Sequence, residues 1–341
     1  MPLLEFTDKG IFCPQGNFYI DPWENVDYAV ITHAHADHAR KGMKYYLAHH
    51  WSIPILYLRL GKINAQGVEY GETIYRNGVR VTLFPAGHIP GSSQVLVEYK
   101  GERWVVSGDY KLENDEICIP FEPVKCHVFV TESTFGLPIY QWKPQQVIFE
   151  EINRWWQYNR ANGKTSILLG YALGKAQRLL KNLNPAFGRI GVHGSVWNVI
   201  ENSPFIKYEY PIEKVSPSQP KGYWDGAMIV APPSADGSRW LKKFQPYQTA
   251  FVSGWMSIRG IRRRKATDAG FALSDHADWN GLLRAIRATE AQEIYVTHGY
   301  AHVLGRYLQS LGLKASAVKT EFEGESLHIL PNEETENVEM S

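Results

Sequence analysis

Cysteine is scarce in this chain. There are three in 341 residues, Cys13, Cys118 and Cys126, and no C-x-x-C pair. An odd, scattered set argues against a disulfide framework and fits a reducing, cytoplasmic setting. Net charge is nearly absent too: 36 Lys and Arg against 35 Asp and Glu leave a formal charge of +1. No basic envelope surrounds the protein, so attraction to nucleic acid would need a local patch or bound metal ions. No apolar run approaches the length of a membrane span, which excludes a membrane partner. The N-terminus, MPLLEFTDKG, lacks the basic segment and apolar run of a signal peptide. No internal repeat is visible. What remains is a globular composition, 44% hydrophobic and 21% charged, able to bury a sizeable core. The length suits two domains, or one domain with a large insertion.

The first part of the chain is rich in short β-like runs: FYIDP, YAVITH, VRVTLFPAGH, SQVLVEY, RWVVSGD and CHVFVTES. Several end in a polar residue that could serve as a ligand: Asp21, His33, His88, Asp109 and Glu132. Strands that finish this way suggest one shared, functional sheet edge. The middle differs. QQVIFEEINRWWQYNRANG has the spacing of an amphipathic helix, and α/β alternation follows without metal-type residues at the strand ends. The earlier style returns in FALSDHADWNGLLRAIRAT and EIYVTHGYAHVLGRYLQSLG, and LHILP is the last strand candidate. The acidic end, NEETENVEMS, has the composition of a disordered tail.

One stretch concentrates metal-capable side chains. ITHAHADHAR holds His33, His35, Asp37 and His38 within six positions. The spacing suits two neighbouring ions, with nitrogen ligands for one and nitrogen plus a hard carboxylate for the other. The absence of cysteine favours a catalytic site with an open position over a closed structural one.

HAHADH matches the H-x-H-x-D-H motif, and the chain resembles the metallo-β-lactamase superfamily. The resemblance continues in order through Asp21, His88 and Asp109. It implies one ion on His33, His35 and His88, and a second on Asp37 and His38, with Asp109 bridging. Asp37 counts with the catalytic residues as well as the ligands, and Asp21 stands behind the ligands. Glu132 in FVTESTFG, His276 in LSDHAD and His298 in YVTHG are similar to motifs A, B and C of the β-CASP nucleases of this superfamily. GYALGKAQRLL resembles that group's G-R-x-Q turn and helix, with Lys175 in place of the usual arginine. The implied fold is an α/β class αββα sandwich with an inserted α/β domain. The expected parts are 1–135 and 257–331 for the sandwich, 136–256 for the insertion and 332–341 for the tail.

The chemistry fits the extra residues. Two divalent ions, Zn²⁺ or Mn²⁺, can polarise a phosphodiester without a protein nucleophile. His276 is the expected acid for the leaving oxygen, oriented by Glu132, and His298 is expected to complete the second ion's ligands. Ser274 is a candidate phosphate contact, with a turn-stabilising hydroxyl as the alternative. Lys175 and the basic run IRGIRRRKATDAG, with Arg262, Arg263 and Arg264, are candidate nucleic-acid contacts. NRWWQYNR could stack on bases or be core. The other histidines, His193 among them, read as structural or exposed. Overall length resembles the bacterial ligase-associated DNA exonucleases. That implies 5′ end-directed action on single-stranded or frayed DNA, in repair beside a DNA ligase and a helicase. His298 at motif C points instead to RNA, and a small-molecule hydrolase or an inactive scaffold are the remaining alternatives.

Overall fold

Alternation within the strands determines the layers. In Val128–Glu132, Val128 and Val130 face one way and Phe129 the other; Val95 and Val97 oppose Leu96, and Trp104 and Val106 oppose Val105. Both faces of this sheet are therefore apolar and need cover. The structure, a computed structural model, describes residues 2–258, 260 and 267–318. A seven-stranded sheet runs in the order Lys314–Ala317, Glu293–Thr297, Val128–Glu132, Glu102–Val106, Ser93–Tyr99, Val79–Pro85, Thr73–Arg76. A six-stranded sheet runs in chain order from Glu5–Thr7 to Ala65–Val68.

The two sheets share one core. Phe18, Ile20, Val30 and Leu47 from the smaller sheet pack with Val81, Leu83, Val97, Trp104 and Val130 from the larger. Helix Ile53–Leu60 covers the outer face of the smaller sheet through Ile55, Leu56 and Leu60, against Ile31, Tyr46 and Ala48. Helices Trp279–Ala288 and Ala301–Ser310 cover the larger sheet through Leu282, Ile286, Leu304 and Leu308. The layers are helix, sheet, sheet, helix.

A third sheet has six strands, all parallel where paired, in the order Glu213–Lys214, Ile190–Val192, Met228–Ala231, Thr165–Leu169, Tyr247–Val252, Ala269–Phe271. Parallel strands buried on both faces read as continuous apolar runs, as in TSILL and MIVA. Trp156 of helix Gln145–Ala161 is fully buried in this core, which makes NRWW a packing element. The sheet extends past residue 256, the expected end of the insertion. Ala269–Phe271 pairs with Tyr247–Val252, because an apolar edge strand there extends the same buried layer.

Direction then places the site. Phe18–Ile20, Tyr28–Val30, Val79–Pro85, Glu102–Val106, Val128–Glu132 and Glu293–Thr297 end next to Asp21, His33, His88, Asp109, Glu132 and His298. The LHILP strand candidate, the acidic tail and Arg259, Arg262, Arg263, Arg264 and Lys265 lie outside the described residues. The described cysteines are all free, and among the described residues no helix is long and apolar enough to cross a membrane.

Phe129 fills the junction between the larger sheet and its helices and is fully buried. Phe129→Ala should lower unfolding free energy by about 3–5 kcal/mol, read from the denaturant midpoint at unchanged slope.

Candidate metal centre

Three imidazoles point their inner nitrogens at one spot. His33 Nε2 lies 3.2 Å from His35 Nδ1, which lies 3.1 Å from His88 Nε2. Each outer nitrogen is already used. His33 Nδ1 is 3.1 Å from the Thr32 hydroxyl, His35 Nε2–H donates to the Leu173 carbonyl at 3.3 Å, and His88 Nδ1–H donates to the Asp275 carbonyl at 2.8 Å. Outer N–H groups leave lone pairs on the inner nitrogens. Three lone pairs facing one another repel unless a cation sits among them. The separations also match a tetrahedral site, where bonds of ~2.0–2.1 Å put ligand atoms about 3.3 Å apart.

Burial lowers the pKa of His33, His35 and His88 below the ordinary imidazole value and keeps the rings neutral, the form that binds metal. Asp109 supplies the anionic ligand. Its Oδ2 lies 3.5 Å from His33 Nε2, 3.7 Å from His88 Nε2 and 3.4 Å from His38 Nε2. One oxygen thus faces both the first cluster and His38.

His38 forms the second cluster with His33 and Asp37. Its Nδ1–H donates to Asp21 Oδ2 at 2.7 Å, so Nε2 turns inward, 3.8 Å from Asp37 Oδ2. Burial alone would lower the His38 pKa, but Asp109, Asp37 and Asp21 raise it well above the ordinary value. Three carboxylates around one imidazole favour positive charge, which a second ion would provide. The buried atoms His38 Nε2 and Asp109 Oδ1 have no hydrogen-bond partner. Both belong to residues of the donor clusters, where an ion would supply the missing partner. The residues present therefore fit two divalent cations.

Asp21 is the anchor behind this cluster. Its carboxylate accepts from the Thr32 N–H at 2.8 Å, from the Thr32 hydroxyl and from His38. Thr32 is a hub the sequence reading passed over, although it sits inside ITHAHADHAR. Its hydroxyl links Asp21 to His33, tying a ligand of each cluster to one carboxylate.

Glu132 and His276 stand beside Asp109. His276 Nδ1 is 3.0 Å from both Glu132 oxygens. Glu132 is itself held by the Tyr110 N–H at 2.8 Å and the Thr134 N–H at 3.3 Å. The carboxylate is fixed by backbone on one side and fixes an imidazole on the other. The ring is packed between His88 and Phe135, at centroid distances of 4.5 and 5.9 Å.

The other expected residues divide. His298 stacks on His38 with ring centroids 5.4 Å apart, outside both donor clusters, and its Nδ1 is 3.0 Å from the Thr297 hydroxyl. With His38, Asp37 and Trp23 it lines a pocket beside the site. Lys175 is not a surface phosphate contact. It is fully buried, with Nζ 2.8 Å from Asp275 Oδ2 and 3.0 Å from the Leu273 carbonyl, so its charge is already neutralised. The Ser274 hydroxyl, also buried, accepts from the His276 N–H at 3.0 Å, the turn-stabilising role. His193 caps helix Gly194–Glu201 by accepting from the Ser195 N–H.

A third group, His49, His50 and Glu69, also gathers donors. There the His49 Nδ1 accepts the Trp51 N–H at 3.3 Å, so Nε2 carries the ring proton and offers no lone pair.

Comparison with known proteins agrees with this geometry. The Metallo-beta-lactamase superfamily profile matches residues 21–157. A "Probable DNA ligase" from Opitutus terrae is 28% identical over 324 residues, 91% of this chain and 30% of that protein. "Endoribonuclease ysh-1" from Neurospora crassa is 32% identical over 36% of this chain and 15% of its own length. "Cleavage and polyadenylation specificity factor subunit 3" from Dictyostelium discoideum is 33% identical over 33% of this chain and 15% of its own length. This chain therefore spans less than a third of these relatives. A solved structure from Enterococcus faecalis V583, titled a protein of unknown function, superposes with a TM-score of 0.58 at 13% identity, covering 87% of this chain and 80% of that one. Residues 21–157 therefore resemble the metallo-β-lactamase superfamily in sequence, and the layered fold is of that superfamily's kind. Within it, the similarities run to the β-CASP branch.

Asp109 faces both clusters, so its loss should affect both ions. Asp109→Asn should fold with native circular dichroism but carry at most one ion per chain by elemental analysis, where two are expected for the parent.

Proposed function

We propose that this protein is a metal-dependent nuclease that hydrolyses DNA phosphodiesters. The mode is exonucleolytic, from a 5′ end of single-stranded or frayed DNA. The observation that carries the nuclease reading is the Glu132–His276 pair beside Asp109, a proton-handling dyad adjoining the metal centre.

His33, His35 and His88 would hold the first ion, and Asp37 and His38 the second, with Asp109 between them. His298, stacked on His38, stands beside the second position. The imidazole and carboxylate donors suit Zn²⁺, with Mn²⁺ as an alternative active ion. When bound, such ions polarise the phosphate and supply a water nucleophile at neutral pH. The protein's own task is the other proton. His276, gripped at Nδ1 by Glu132, hands a proton from Nε2 to the departing sugar oxygen. Glu132 keeps the ring oriented and stabilises its charged form. Because backbone N–H groups already fix that carboxylate, the orientation is set before substrate arrives.

The preference for DNA is supported by the ligase-named relative, which carries a segment similar to 91% of this chain within a longer protein. A ligase is a natural companion for an enzyme that trims DNA ends, and a helicase that frays duplex ends would supply the single strand. RNA is the second reading, favoured by the endoribonuclease-named relatives, whose similarity covers about a third of this chain.

An end-labelled time course on DNA and RNA of identical sequence, with a panel of divalent ions, tests the proposal. Release of mononucleotides from the 5′ end of single-stranded DNA is expected. Faster cleavage of RNA would reverse the substrate assignment, and no cleavage of either with any ion would return the protein to the small-molecule hydrolases. His276→Ala should reduce cleavage about 10²–10⁴-fold at unchanged metal content. Normal cleavage by that variant would remove His276 from the mechanism.

A further inference from the structure

Two of the three histidines in the first cluster are oriented by main-chain carbonyls of residues that belong to neither donor cluster. His35 Nε2–H donates to Leu173 O, in the turn that leads into helix Lys175–Asn182 of the third-sheet domain. His88 Nδ1–H donates to Asp275 O, two residues past Leu273 and directly before His276. The helix then binds that second segment along its length. Lys175 Nζ donates to Leu273 O at 3.0 Å and pairs with the Asp275 carboxylate at 2.8 Å. Arg178 Nη1 donates to Ser274 O at 2.8 Å and to Asp275 Oδ1. Arg178 Nε donates to Asp115 Oδ2 at 2.7 Å, in the loop after Asp109, and Nη2 reaches the His88 carbonyl at 3.4 Å.

Two cations and two carboxylates, all buried, balance in charge. A buried ion-pair cluster of this kind adds little net stability over an apolar core, because desolvation offsets attraction. What it does impose is geometry: each carboxylate has one position in which it satisfies its partners. The residue it constrains most closely is Asp275, and that residue's carbonyl aims His88.

We propose that the third-sheet domain forms the outer shell of the first metal position, with Lys175 and Arg178 as positioning residues. Loading an ion on His33, His35 and His88 and seating helix Lys175–Asn182 are then one coupled equilibrium. By linkage, whatever loosens the helix weakens the ion, and the ion tightens the helix by the same factor. This rests on the metal-centre reading but not on the choice of substrate, and its test needs no nucleic acid.

Hydrogen exchange on the full chain, chelator-treated against Zn²⁺-loaded, is the direct measurement. Exchange across residues 171–182 should slow when Zn²⁺ binds. Unchanged exchange there, with Zn²⁺ bound at native stoichiometry, overturns the proposal without any variant. The second arm is Lys175→Met, which keeps the length and loses the charge. Its affinity for one Zn²⁺ should fall about 10–100-fold by chelator competition, with the other ion held as in the parent. The visible spectrum of the Co²⁺-loaded variant should shift as His88 loses its alignment. Lys175→Arg, able to re-form the pair with Asp275, should recover most of the affinity. A folded Lys175→Met protein with parental affinity and spectrum also overturns the proposal. Protein that takes up no ion at all refutes the metal centre itself, a separate outcome.

Discussion

Three neutral imidazoles aimed at one another are the constraint on which the rest of this structure depends. His33, His35 and His88 bring inner nitrogens to 3.1–3.2 Å, an arrangement that only a shared cation makes favourable. Holding them there requires an acceptor behind every ring. The Thr32 hydroxyl, Leu173 carbonyl and Asp275 carbonyl fill that role, and they come from three distant parts of the chain. The layered sandwich supplies the first, while the third-sheet domain and the segment following it supply the others. Fold and site are therefore linked: the apolar packing that aligns these strand ends also brings the candidate ligands together.

Much of this was legible in the sequence. HAHADH singled out candidate ligands by residue type and spacing, and the recurring polar residue at strand ends pointed to the edge where they gather. Val128–Glu132 shows why that pattern is readable: strict alternation sets both faces, and Glu132 falls at the exit. The dyad of Glu132 with His276 was legible only through resemblance, since 144 residues separate them and no local pattern links them.

What stayed hidden is instructive in physical terms. A lysine in GYALGKAQRLL looks solvated because lysine usually is; nothing local announces that Asp275, far along the chain, will neutralise it in the core. Asp115 and Arg178 were missed for the same reason, being ordinary charges until folding pairs them. The third sheet runs past 256, the expected end of the insertion, through the short edge strand Ala269–Phe271, which is too brief to show a pattern of its own in the sequence. Ser274 illustrates the opposite case, where a local turn role was open from the start and the geometry takes it up.

The turn after Glu293–Thr297 carries a consequence for substitutions at His298. His298 and Gly299 adopt successive left-handed conformations, with φ of 55° and 56°. A Cβ on Gly299 would lie 2.5 Å from the Ser133 carbonyl oxygen, so the chain cannot relax there. Histidine tolerates this backbone; a β-branched side chain does so only at a cost of order 1–3 kcal/mol. Valine at position 298 would therefore strain this turn as well as remove the imidazole, so a loss of function in such a variant would not by itself assign His298 to a metal. Asparagine, which accepts the same conformation, is the replacement that isolates the imidazole's contribution from that of the turn.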